Sequence, residues 1–117
     1  MHNFKELKVW QASMEISKAV FVATRLFPQD EKFTLTSQMM RSAISIPSNI
    51  AEGCGRKSNK EFYQYLNISL GSSFELETQL ILAKDFNYIN EANFKLLQSQ
   101  LIDVQRMITG LQKSLNT

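Results

Sequence analysis

SIPSNIAEGCGRKS, residues 45–58, ends in two spaced glycines followed by arginine, lysine and serine. A phosphate-binding loop has a glycine immediately before Lys-Ser/Thr, a second glycine five residues earlier, and a strand leading in. Here Arg56 precedes Lys57, and what leads in has the period of a helix. Met39, Ala43, Ile46, Ile50 and Cys54 recur at steps of three and four, which predicts a helix from Leu35 to Gly53 or Arg56 with Thr34 as N-cap. Gly53 and Gly55 are then expected as helix stops in the left-handed conformation that glycine tolerates. Pro47 lies inside this helix. It withholds the amide that would bond the carbonyl of Ala43, and a kink is expected because the apolar stripe stays in phase through it.

Three further segments carry the same period. Val9, Ala12, Ile16, Ala19, Val20, Ala23 and Phe27 mark a helix from Phe4 to Leu26, ended by Phe27-Pro28. A second stripe of Leu7, Trp10, Met14 and Phe21 runs along it, with Trp10 about 160° around the helix from Ala12. One stripe serves the core; the other needs a different partner. A third helix begins at Ser58, where Ser58-Asn59-Lys60-Glu61 spells a capping box. Phe62, Leu66, Leu76, Leu80 and Ala83 form its stripe, with Ser69 and Ser73 between, and small residues near Gly71 suit close approach of another helix. A fourth starts after Asn90, its N-cap, and reaches Leu115 through Phe94, Leu97, Leu101, Val104, Ile108 and Leu111. Residues 1–117 therefore read as one all-α domain, an antiparallel up-and-down four-helix bundle.

The totals agree. The chain has 117 residues, 44% of them hydrophobic and 21% charged, with a net charge of +2. It has no apolar run of membrane-spanning length, and its N-terminus lacks the apolar core of a signal peptide, so a cytoplasmic protein without membrane contact is expected. The lone Cys54 makes no internal disulfide and has no histidine to activate it, so it reads as a structural thiol.

Catalytic and cofactor chemistry finds little purchase. A carboxylate-bridged metal site in a bundle wants inward glutamates and Glu-x-x-His pairs. The only histidine is His2, and no Glu-x-x-His occurs. Glu75 and Glu77, two apart, face opposite ways on a helix, and one of them is expected to pair with a basic or amide group on a neighbour. The Asn67-Ile68-Ser69 sequon lies mid-helix. No enzyme activity and no cofactor are expected. Arg41, Arg56, Lys57 and Lys60 gather around the second helix and the turn after it. They are the candidate contacts for RNA or DNA phosphates, against the alternative of a solvated helix end. Ser45, Ser48, Asn49 and Glu52 form a stripe that reads as a hydrogen-bonding network fixing helix register rather than a ligand face.

SIPSNIAEGCGRKSNKEFYQYL followed by GSSFELETQL resembles the four-helix bundle proteins encoded by intervening sequences of bacterial 23S ribosomal RNA genes. LKVWQAS, the Phe-Pro after the first helix, and LTSQMMRSA also resemble that family, so the likeness runs from Leu7 to Tyr88; the last helix matches only in type. The resemblance implies a homopentamer. It further implies kinship in fold with the accessory variability determinant proteins of diversity-generating retroelements, which bind nucleic acid and a reverse transcriptase and are usually more basic. The family has no established enzymatic activity. Its signature positions here include Trp10, Asn49, Glu52, Gly53, Gly71 and Glu75, taken with Met14 and Phe21 of the second stripe as fold and assembly positions. Two opposite apolar faces on the first helix support self-association independently. Five copies would multiply a small positive charge into a basic surface for RNA or DNA. The alternative function is a scaffold or accessory subunit for a partner protein.

Overall fold

The computed structural model describes residues 3–115. Four helices account for most of it: α1 Lys8–Thr24, α2 Leu35–Cys54, α3 Asn59–Asp85 and α4 Glu91–Ser114. No strand occurs among the described residues. The particle measures 43 × 24 × 20 Å, and its long axis matches the roughly 40 Å length of the 27-residue α3. Neighbours form a ring: α1 on α2, α2 on α3, α3 on α4, α4 on α1. The diagonal pairs make no close backbone approach among the described residues.

The core is the one the periodicity predicts. Ile16, Met39, Ile46, Ile50, Leu66, Leu76, Leu80, Leu101 and Ile108 are fully enclosed. Each such side chain contributes about 1.5–3 kcal/mol by leaving water. Buried hydroxyls complete the seams. Ser69 donates to the carbonyl of Ile46 at 2.8 Å, which locks α3 to α2 in register. Ser13, Thr24 and Ser73 are buried with their hydroxyls on carbonyls of their own helices.

α2 runs through Pro47 without interruption. The orphaned carbonyl of Ala43 has a donor from elsewhere: the Ser17 hydroxyl of α1 lies 2.8 Å from it and 2.9 Å from the carbonyl of Ser13. The missing bond is thus replaced across the α1–α2 seam.

Several helix ends differ from expectation. Phe4–Glu6 is a separate 3-10 turn, split from α1 by extended Leu7. Thr34 sits at the N-cap of α2 but makes no capping bond; its hydroxyl turns back to the Glu31 carboxylate, which itself accepts the Leu35 amide at 3.4 Å. Glu31 is the cap, reached from a preceding 3-10 turn at Gln29–Glu31. At α3, Ser58 accepts the Glu61 amide at 3.1 Å, but Glu61 answers the Ser58 hydroxyl rather than its amide, so the box is half made. Asn90 caps α4 as expected, accepting from Asn93 at 2.8 Å. α3 ends in a Schellman turn: Asn87 is left-handed (φ 63°), Tyr88 donates to Ala83 and Asn87 to Lys84.

Tyr88 also donates its hydroxyl to Glu31 at 2.7 Å and packs on Phe27, tying the α1–α2 loop to the α3–α4 loop. The Thr34 hydroxyl first, then that of Tyr88, holds the Glu31 carboxyl below its ordinary 4.5. A depressed folded-state pKa gives stability that is complete above 4.5 and lost as pH falls through the folded value. Tyr88→Phe removes one of these donors. We expect a lower thermal midpoint at neutral pH and a shallower fall of that midpoint on acidification below 4.5 than in the wild type. Parallel wild-type and variant curves would show that the bond carries no linkage.

Candidate functional site

Two surfaces carry the residues singled out in the sequence. The first is a groove between α1 and α2 of about 580 Å³. Trp10, Met14 and Phe21 form its α1 wall. Met40, Ile44 and Pro47 form its α2 wall. Phe21 and Ile44 are half exposed, at 50% and 51%. Trp10 is steadied by Phe4, edge-on at 5.3 Å. The second stripe of α1 is therefore the lip of an open apolar trough, with nothing else among the described residues covering it. The α2 wall was missed in the sequence, although Met40, Ile44, Pro47 and Ala51 repeat at steps of four, three and four beside the core stripe.

The second surface is the α2–α3 turn, where Cys54, Gly55, Arg56, Lys57, Ser58 and Phe62 line a hollow of about 400 Å³. The four basic residues do not form one cluster. Arg56 is engaged: its guanidinium is 2.7 Å from the Glu52 carboxylate and lies over the Tyr65 ring at 4.8 Å. Lys57 and Lys60 are exposed beside it. Arg41 is exposed too, but roughly 22 Å away along α2. The turn thus offers two uncommitted ammonium groups, with Arg41 on another part of the surface.

Between them runs the polar seam of α2 and α3. The hydroxyls of Ser45 and Ser72 meet at 2.8 Å, and the Asn49 amide donates to the Ser45 carbonyl and hydroxyl at 2.8 and 2.9 Å. Ser45 and Asn49 form the register-fixing network. Ser48 instead lines the groove, and Glu52 serves Arg56. Glu77, half-buried, accepts from the Gln105 amide of α4 at 2.9 Å, while Glu75 is exposed. Asn67 of the sequon accepts from Gln112 at 2.7 Å.

The two signature glycines do different work from that expected. Gly53 is no left-handed stop. It lies inside α2 at the closest approach to α3, where a Cβ would stand 2.6 Å from Tyr65 Cβ and 2.9 Å from Phe62 Cδ1. Gly55, the C-cap, is right-handed at φ −82°. Gly71 admits no neighbouring helix within the chain. It is exposed on the outer side of α3, and a Cβ there would meet nothing within 4 Å.

Cys54 is buried, and burial pushes its thiol above the usual range. His2 lies outside the described residues. Among the described residues, no group of three His, Cys, Asp or Glu side chains is placed to hold a metal ion. No helix among them is long and apolar enough to cross a membrane.

Comparison with known proteins agrees with this architecture. The curated proteins contain no match. Among solved structures, the chain is similar to a protein of unknown function from the S23 ribosomal protein family of Bacteroides thetaiotaomicron. The two share 25% identity with a TM-score of 0.82, over 90% of this chain and 95% of that one. The profile of the 23S rRNA-intervening sequence proteins matches residues 5–110, almost the full length. With four helices in the expected places and that match across them, the chain belongs to the 23S rRNA-intervening sequence protein family.

Proposed function

We propose that this chain is a non-enzymatic, antiparallel up-and-down bundle that assembles as a homopentamer and binds RNA or DNA through cations gathered by the assembly. The antiparallel arrangement is supported by contacts that pair rising numbers with falling ones. Ser45 meets Ser72, Ile46 meets Ser69, and Gly53 meets Tyr65; likewise Asn67 meets Gln112, and Glu77 meets Gln105. The observation that carries the assembly reading is the open trough of Trp10, Met14, Phe21 and Ile44 on so small a chain. A contiguous apolar surface of that kind marks an interface.

The nucleic-acid part rests on Lys57 and Lys60, which are exposed at a helix junction and repeated once per copy. Light scattering after size exclusion, with a mixed RNA and DNA pool at low and moderate salt, tests both parts. We expect the mass of five chains and nucleic-acid uptake that falls steeply with salt. A single-chain mass removes the assembly reading; absence of uptake at low salt removes the nucleic-acid reading. Lys57→Glu with Lys60→Glu should weaken binding across all sequences and reduce the salt slope by roughly one for each phosphate no longer neutralised. Arg56 is a poor probe, because its removal also strips Glu52 and Tyr65 of their partner.

The same trough favours a second reading, a scaffold that docks a partner protein. It predicts docking with little salt dependence and a wild-type chain that stays monomeric alone.

A further inference from the structure

We propose that the hollow at the α2–α3 turn takes an unpaired base, so that the nucleic acid bound by this chain is single-stranded rather than duplex. This rests on the nucleic-acid reading above and names its substrate class.

The charges of the turn suit a duplex poorly. The uncommitted ammonium groups of Lys57 and Lys60 are exposed there. The same turn exposes the carboxylates of Glu52 and Glu61, and Glu52 already holds Arg56 at 2.7 Å. Duplex DNA carries one negative charge per about 1.7 Å of its axis. A stiff rod of that density laid on the two lysines also runs its phosphates past the carboxylates. A single strand has roughly half that density and bends. It sets phosphates on Lys57 and Lys60 and turns away from Glu52 and Glu61.

The hollow supplies what the bases of a single strand lack in water. Its volume, about 400 Å³, falls within the roughly 300–1,000 Å³ of small-molecule sites. Buried Cys54 and Phe62 give it an apolar side, and Ser58 and Asn59 a polar one. Asn59 is anchored to the Leu115 carbonyl at 3.2 Å, and Ser58 to the Glu61 amide at 3.1 Å, so this side is fixed in advance. Arg56 lines the hollow too. Its guanidinium is held over the Tyr65 ring at 4.8 Å, yet its side chain keeps 38% of its surface in solvent. A planar cation set in place beside an apolar wall is a stacking platform for a base. Lys57 belongs both to the hollow and to the exposed cations, so one nucleotide can give its base to the recess and its phosphate to the rim. In a duplex the base faces are stacked and paired, and entry to the hollow costs their unstacking. The lysines therefore hold the backbone, and the hollow discriminates.

Fluorescence anisotropy at low salt tests this on the wild-type chain. The probes are a labelled 20-nucleotide single strand and the same strand annealed to its complement, each as RNA and as DNA. We expect the single strands to bind tighter than the duplexes by roughly tenfold, as for one stacked base. Gly55→Leu then plugs the hollow without touching a charge. Gly55 lines it at φ −82°, and a Cβ there would meet only the carbonyl oxygens of Glu52 and Ala51, at 3.6 and 3.9 Å. This variant should lose the single-strand advantage while its duplex affinity and salt slope stay at the wild-type values. Lys57→Glu with Lys60→Glu should weaken both forms alike. Equal affinity of the wild type for single strands and duplexes overturns the inference and leaves the nucleic-acid reading standing. So does a Gly55→Leu chain of wild-type helix content that keeps the full single-strand advantage. Failure of every probe to bind the wild type overturns both together.

Discussion

Gly53→Val should destabilise the protein by about 3 kcal/mol, the upper part of the range for overpacking a tight interior. The first added carbon would stand 2.6 Å from Tyr65 Cβ, which is anchored to the α3 backbone and cannot swing aside. Relief requires α2 and α3 to part at their junction. That motion also pulls on Phe62 and on the Arg56–Tyr65 stack. Gly53→Ala is the finer probe. Alanine is favoured over glycine in a helix by up to about 1 kcal/mol, so the clash and the propensity gain oppose each other there. Gly71→Ala supplies the control in the unassembled chain, since there its new methyl meets open space and only the gain remains. Urea unfolding should therefore move in opposite directions: Gly71→Ala up by about 0.5–1 kcal/mol, Gly53→Ala down. If Gly53→Ala were stabilising to the same extent as Gly71→Ala, the two helices would not be in contact at that point.

What could be read from the chain beforehand divides along physical lines. The four helices were legible because burial imposes its period locally: the Met39–Cys54 stripe or the Phe94–Leu111 stripe needs no knowledge of the partner. Asn90 capped its helix as expected because its acceptor reaches a donor three residues on. Some ends failed locally, such as the half-made box at Ser58 and Glu61, but the larger failures are cases where the partner lies across a seam or a loop. Gly53 looked like a stop because Tyr65 and Phe62, twelve and nine residues later, cannot be known to sit on top of it. Thr34 was the obvious cap of α2, but the Glu31 carboxylate, held by Tyr88 from the far side of the bundle, took the place. Arg41 and Arg56 were grouped as one basic cluster because they share a helix. Separation along the axis and the competition of Glu52 for Arg56 break that cluster apart. The trough was half legible: the α1 wall showed as a second stripe, while the α2 wall hid behind a stronger core pattern one residue out of phase.

The Ser17–Pro47 pairing makes the largest claim about cooperation between distant residues, and a double-mutant cycle measures it. Ser17→Ala should cost about 1–3 kcal/mol, the penalty for leaving a buried backbone acceptor unpaired. That acceptor is the carbonyl of Ala43, which Pro47 cannot serve. The other carbonyl near the Ser17 hydroxyl, that of Ser13, has the helical amide four residues on and does not depend on it. Replacing the proline should therefore remove the need for the serine. In a Pro47→Ala background the restored amide bonds Ala43, and Ser17→Ala should cost less than about 0.5 kcal/mol, giving a coupling of about 1–2 kcal/mol between residues 30 positions apart. Pro47→Ala alone has two opposing effects, a regained helical bond and poorer packing in the groove wall, so its own sign is not the test. The coupling is. Unfolding free energies of the four proteins in urea yield it directly, and strictly additive values would mean that the Ser17 hydroxyl does not stand in for the missing amide.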